Sequence, residues 1–198
     1  MTNHAVQSGA HSLADRQFDT YETPISATQA LLRESVQPPH TSVWEPCAGN
    51  GAIVQFLRDA DHPVSASDTV QRDFELHYTA NFFEQTIAPA ETQVILTNPP
   101  FAKHIGRFVA YALELVPHVI VLGRTLVLES SCGTRIQEHS GFCKIHQFRD
   151  RVPMMHRDTW AGPRNKKSLM AFAWFEWHRD HVGSATFHRI TCDLKKEK

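Results

Sequence analysis

A rigid corner with an aromatic end follows an apolar run near the middle of the chain. The run Val94–Thr97 is followed at once by Asn98, Pro99, Pro100 and Phe101. Because proline has no N–H and a fixed φ, the corner cannot continue a strand, and the Asn98 side-chain oxygen and a main-chain carbonyl stay available as acceptors. Two fixed acceptors suit an exocyclic aromatic amine, which has two N–H donors, and a phenylalanine ring can stack on its base. The corner therefore predicts a site that orients such an amine for nucleophilic attack.

A glycine turn, in the stretch EPCAGNG, follows the first predicted strand. Gly49 and Gly51 allow positive φ and close approach of a ligand, and the helix that begins there presents unpaired N–H groups. Glu45 can bind a cationic amine, and Asp68, at the end of the next predicted strand, can accept hydrogen bonds from ribose hydroxyls. Val54 replaces the third glycine of a dinucleotide fingerprint, which disfavours NAD. An amine-binding acid, a glycine turn and a ribose-binding acid together fit S-adenosylmethionine.

These two motifs, with the stretch YETP upstream, resemble those of the amino-methylating class I methyltransferases, especially adenine-specific DNA methyltransferases. The resemblance covers the chain from Tyr21 to Trp177. It implies catalysis by the corner residues Asn98, Pro99, Pro100 and Phe101. It implies that the cofactor-binding residues are Tyr21, Thr23, Pro24, Glu45, Pro46, Cys47, Gly49, Gly51, Asp68, Asn81 and Phe82, with Asn81 in place of the usual acid of an adenine-binding pair. Sequence-specific members usually have a separate target-recognition domain, whereas here we expect recognition from loops, from a partner chain, or hardly any recognition of sequence.

The basic stretch HRDTWAGPRNKKS lies between the last two predicted strands and would open at the same edge as the corner. Its cations suit phosphates and its tryptophan suits base stacking, which predicts a nucleic-acid contact. The alternative is a solvated, charge-rich loop. The candidate substrate-binding residues are Arg157, Trp160, Arg164, Lys166 and Lys167.

Predicted strands and helices alternate along the chain, which indicates an α/β fold. We expect a Rossmann-like, doubly wound, mostly parallel sheet of seven strands that ends in an antiparallel hairpin. Residues 1–19 are predicted to form a flexible N-terminal arm, residues 20–178 the catalytic domain, and residues 179–198 a C-terminal extension.

The composition limits the possible partners. The 198 residues have a net charge of −1, which excludes a strongly basic, histone-like binder but permits a local basic face. The four cysteines form no CxxC pair, and without a signal peptide they indicate reduced thiols in the cytoplasm. No apolar run is long enough to span a bilayer, and no paired ligand spacing indicates a metal.

The sequence therefore predicts an S-adenosylmethionine-dependent methyltransferase that acts on an exocyclic nucleobase amine, adenine N6 in DNA. Three alternatives stay open: an RNA base as substrate, a protein glutamine amide as substrate, and a catalytically silent, methyltransferase-like subunit that binds nucleic acid.

Overall fold

The computed structural model describes residues 22–34, 40–100, 105–129, 141–154 and 170–192, and within them eight strands form one mixed sheet. The strands are β1 (Val43–Glu45), β2 (Val64–Asp68), β3 (Tyr78–Thr79), β4 (Val94–Thr97), β5 (His118–Arg124), β6 (Phe142–Phe148), β7 (Phe172–His178) and β8 (Thr186–Ile190). The helices are α1 (Ile25–Glu34), α2 (Ala52–Asp59) and α3 (Ile105–Leu115), with short 3-10 turns at Phe82–Glu84 and Thr125–Leu128.

The order of the strands across the sheet is β3-β2-β1-β4-β5-β7-β6-β8. The first five run parallel to one another, β7 is antiparallel to β5 and β6, and β8 is parallel to β6. The chain winds outward from β1 to β3 and then returns to place β4 on the other side of β1. The topological switch point therefore lies between β1 and β4, where open α/β sheets bind ligands at the carboxyl ends of their strands. We call this side, where β1, β2, β4 and β5 end, the carboxyl edge.

Helices cover both faces of the sheet. The face packed with α1 and α2 contains Leu57, Ile120 and Trp174 among its buried residues. The face packed with α3 contains Val121 and Phe175. Residues 120 and 121 point to opposite faces because side chains alternate along a strand, and both faces of β5 are buried. Burying an apolar side chain of this size contributes roughly 1.5–3 kcal/mol, so the two clusters hold the strand ends in place.

The eighth strand corrects the prediction of seven. The segment Thr186–Ile190, expected within the C-terminal extension 179–198, pairs with β6 and ends the sheet. Its first four residues are exposed and only Ile190 is buried, so the apolar alternation that reveals a strand is missing from its sequence. The expected arm, residues 1–19, lies outside the described residues.

Candidate functional site

The glycine turn connects β1 to α2 at the carboxyl edge. Gly49 and Gly51 have φ of 54° and 78°, in the left-handed region that favours glycine. Gly51 is the N-cap of α2, and a Cβ atom there would overlap the ring of Phe74. Both its backbone conformation and its neighbour therefore require glycine at position 51.

Asp68 ties the end of β2 to this turn. Its Oδ2 atom accepts a hydrogen bond from the Gly49 N–H at 2.9 Å. Its Oδ1 atom accepts from the Thr69 hydroxyl and the Val70 N–H, each at 3.2 Å, and forms an ion pair with Arg72 at 3.5 Å. The carboxylate predicted to bind ribose thus lies directly beside the glycine turn, although the two are far apart in the chain.

Glu45, the last residue of β1, has a fully buried carboxyl group. Its Oε1 atom accepts from the Cys47 N–H at 2.9 Å and from the Thr97 hydroxyl at 2.5 Å. Its Oε2 atom is buried with no hydrogen-bond partner among the described residues. Burial raises the pKa of Glu45 to about 8 against the two hydrogen bonds, and the nearby charge of Asp68 acts in the same direction as burial. The site therefore contains a buried carboxyl oxygen whose hydrogen-bonding capacity the described residues leave unused.

Thr97 was missed by the sequence reasoning. It is the last residue of β4 and is fully buried, and its hydroxyl orients the Glu45 carboxyl group. The sequence feature that could have identified it is its position: Thr97 is a polar residue at the end of an apolar run, directly before the predicted corner at Asn98.

Cys47 lies within the turn, where burial is the main cause that raises the pKa of its thiol well above the usual range. The charges of Glu45 and Asp68 add to the effect. Because the thiolate is the nucleophilic form, this cysteine is suited to packing rather than to attack.

Asn98 follows β4 directly and contacts the segment before α1. Its Nδ2 atom donates to the Thr23 hydroxyl at 3.1 Å. Thr23 is only 6% exposed, so this hydrogen bond is largely shielded from solvent. Because Nδ2 is the donor here, Oδ1 lies on the other side of the amide group. Pro99 is half-buried and Pro100 is exposed.

The Asn81 side chain accepts from the Phe83 N–H at 3.1 Å and begins the 3-10 turn after β3. The ring of Phe82 is 5% exposed and stacks on Phe108, with 4.2 Å between ring centroids. The Phe82 ring thus belongs to the core on the α3 face, and the next residue, Phe83, is half-buried with the Arg107 guanidinium 4.5 Å from its ring centroid.

Several predicted site residues lie outside the described residues. These are Tyr21, Phe101, Arg157, Trp160, Arg164, Lys166 and Lys167. Within the described parts of the chain, no group of three or more His, Cys, Asp or Glu side chains could hold a metal ion. The helices described there are all too short or too polar to cross a membrane.

Neither a protein-family model nor a curated protein matches the sequence of this chain. Solved structures nevertheless share its fold. A type I restriction-modification methyltransferase subunit from Streptococcus thermophilus superposes with a TM-score of 0.56 at 10% identity, over 85% of this chain and 47% of that chain. A putative RNA methyltransferase from Pyrococcus horikoshii has a TM-score of 0.58 at 17% identity, over 81% and 87%. A dimethyladenosine transferase from Plasmodium falciparum has a TM-score of 0.54 at 10% identity, over 80% and 63%.

These likenesses show the fold: the chain has an α/β class I methyltransferase fold. The chain spans about half the length of the S. thermophilus subunit.

Proposed function

We propose that this chain is an S-adenosylmethionine-dependent methyltransferase that acts on an exocyclic amine of a nucleobase, adenine N6 in DNA. The observation that supports this most strongly is the contact between Asn98 and Thr23 at the carboxyl edge. It joins the predicted catalytic corner to the predicted cofactor-binding segment, beside the glycine turn and the switch point.

The described residues fit S-adenosylmethionine. The unpartnered Oε2 atom of Glu45 is a buried acceptor for the cofactor's ammonium group. Asp68 lies beside the turn, where it can accept from ribose hydroxyls, and Gly49 has no Cβ atom to keep a ligand away. When bound, the cofactor supplies a sulfonium methyl group that is open to attack by an amine.

The corner would act on the amine. The Asn98 Oδ1 atom and a main-chain carbonyl of the corner would accept the two N–H hydrogens of the amine, which favours a pyramidal nitrogen with its lone pair toward the methyl group. Phe101 would stack on the base and face the positive charge. No strong general base is needed before methyl transfer, so the absence of a histidine from the predicted corner is consistent with this chemistry. A base inside a duplex must first be flipped out, which costs a few kcal/mol.

The ionisation of Glu45 would be coupled to cofactor binding. Because burial raises the pKa of Glu45 to about 8, the ligand-free site holds a protonated carboxyl group at pH 7. An ammonium group binds the ionised form, so cofactor binding would release this proton.

Two of the structural neighbours are named for chemistry of this class, a restriction-modification methyltransferase subunit and a dimethyladenosine transferase. They support a nucleobase amine as the substrate. The neighbour from P. horikoshii is named as a putative RNA methyltransferase and is matched over most of its length, which favours RNA as the second candidate.

Incubation with methyl-labelled S-adenosylmethionine and unmethylated DNA, RNA or protein tests the proposal. We expect label in DNA, and digestion followed by mass spectrometry should identify N6-methyladenine. N6-methyladenosine in RNA alone would support the second candidate, and methylglutamine would support a protein substrate. Cofactor binding without transfer to any substrate would indicate a silent binding subunit. The Asn98→Ala protein is the control for contaminating methyltransferases.

A further inference from the structure

Three arginines stand at the carboxyl edge beyond the switch point. Arg124 is the last residue of β5, and Arg149 and Arg151 follow the end of β6. Arg149 and Arg151 are exposed and Arg124 is half-buried. We propose that these three guanidinium groups form a phosphate-binding surface for the nucleic-acid strand whose base enters the Asn98 corner. This inference rests on the proposed function, since it concerns the substrate of the same site.

The register of the sheet places Arg124 close to the corner. Thr97 pairs with Val121 in the parallel ladder of β4 and β5, so Asn98 lies level with Leu122. Arg124 is two residues farther along the neighbouring strand. With strands about 4.8 Å apart and a rise of about 3.3 Å per residue, the two Cα atoms are about 8 Å apart. A guanidinium extends several ångströms from its Cα atom, which lets Arg124 reach a phosphate that flanks a base held at Asn98.

The same ladders place Arg149 beside Arg124. Arg124 pairs with Phe172 of β7, and Ala173 of β7 pairs with Gln147 of β6. The backbone of Arg149 therefore lies nearly level with that of Arg124, two strand spacings away, so their Cα atoms are about 10 Å apart. Its backbone is held by a hydrogen bond from its N–H to the Ile190 carbonyl at 2.8 Å. A nucleic-acid strand spans such a separation within a few nucleotides.

The geometry of the guanidinium groups favours phosphate binding more than the local net charge does. The segments 124–129 and 149–151 contain the three arginines and also the carboxylates Glu129 and Asp150, which leaves a surplus of one positive charge. The whole chain has a net charge of −1, which gives no general attraction to a polyanion. Binding would therefore depend on where the guanidinium groups lie, and their planar fork binds two phosphate oxygens at once.

The test is the salt dependence of binding to a fluorescent DNA duplex that contains adenine. The variants are Arg124→Gln and the double variant Arg149→Gln with Arg151→Gln. The matched control is Arg58→Gln, which removes an exposed arginine from the last turn of α2, near the opposite edge of the sheet. Each lost phosphate contact should flatten the log–log slope by about 0.9, so we expect about 0.9 for the single and about 1.8 for the double variant. The control should keep the wild-type slope.

Two further readouts separate phosphate binding from a merely structural role. Arg124→Lys should restore most of the slope, because a lysine keeps the charge. Arg124→Gln should act on the KM for DNA more than on kcat, and it should leave the dissociation constant of S-adenosylmethionine unchanged. Circular dichroism melting checks that each variant is folded.

Wild-type protein that binds and methylates DNA, together with unchanged slopes in all arginine variants, would overturn the surface and leave the proposed function intact. Equal flattening by Arg58→Gln would also overturn it, because the effect would then be one of overall charge. Wild-type protein that binds no nucleic acid while methylating another amine would overturn both proposals.

Discussion

Asn98 donates from its amide nitrogen to the hydroxyl of Thr23 across 3.1 Å, although 75 positions of the chain separate them. The contact fixes the rotation of the Asn98 amide group. An amide that must present its oxygen to a substrate amine benefits from a partner that holds its nitrogen.

Replacing Thr23 by valine should slow methyl transfer even at saturating S-adenosylmethionine. Valine keeps the shape but removes the acceptor, and the loss of one such hydrogen bond, about 1–1.5 kcal/mol, corresponds to roughly tenfold in kcat. Single-turnover kinetics at saturating substrate measure this. Thr23→Ser keeps the hydroxyl and should stay close to the wild type, and a serine variant as slow as the valine variant would argue against the hydrogen bond.

Asn98→Ala should abolish turnover and leave the affinity for S-adenosylmethionine nearly unchanged, because the proposed role of Asn98 is to orient the amine. Calorimetric titration and methyl-transfer assays on the same preparation separate the two effects. A large loss of cofactor affinity with normal turnover at saturation is the result that this role does not allow.

Asp68→Ala should weaken cofactor binding by about 1.5–3 kcal/mol, the scale for a charge-assisted hydrogen bond. The structure adds a second effect, since the Gly49 N–H also loses its acceptor. Asp68→Asn keeps an acceptor for Gly49 and should preserve thermal stability better than alanine does. An unchanged dissociation constant in both variants would remove Asp68 from the cofactor site.

The affinity for S-adenosylmethionine should rise with pH between about 7 and 8. The pKa of Glu45 is raised to about 8, so each cofactor bound at pH 7 should displace close to one proton, which calorimetry in buffers of different ionisation enthalpy measures. Glu45→Gln should bind the cofactor more weakly and release no proton. A wild-type affinity that is the same at both ends of this range would contradict the role of Glu45.

The Glu45 carboxyl group should affect stability in the opposite direction: its contribution to the free energy of unfolding should fall as pH rises. Above its ordinary pKa the unfolded chain loses the Glu45 proton, whereas the folded chain keeps it until about pH 8. The unfolded state then binds fewer protons, so the contribution of Glu45 to the free energy of unfolding falls as pH rises through this window. Glu45→Gln should lack this fall, which denaturant titrations at pH 5 and pH 8 would show.

The pKa of Glu176 is shifted in the direction opposite to that of Glu45. Its burial raises its pKa, but hydrogen bonds from His118, His146 and Lys144, with the charge of His118, outweigh burial and lower the pKa well below its usual range. Glu176→Gln should destabilise the fold by about 1.5–3 kcal/mol at pH 7. Because a lowered carboxyl pKa stabilises the fold fully above the ordinary value of 4.5 and progressively less as pH falls from there toward the folded value, the difference from the wild type should shrink steadily below about pH 4.5. A difference that does not change between pH 7 and strong acid would exclude the ionised network as its source.

The glycine turn and seven of the eight strands could be predicted from the sequence because their signals are local. Gly49 and Gly51 act through their own backbone freedom, and the positive φ at both confirms the predicted turn. Prolines 99 and 100 end β4 because they lack an N–H, whatever surrounds them. Such features depend on a few consecutive residues, so one sequence is enough to find them.

Tertiary structure decided the features that depend on register between distant segments. The Thr97 hydroxyl meets Glu45 only because β4 lies beside β1, and Phe82 enters the core only because α3 places Phe108 against it. Arg124 lies next to the Asn98 corner for the same reason, since the pairing of β4 with β5 sets their distance. Strand pairing is a long-range choice made by the burial of whole faces, and no local pattern along the chain encodes it.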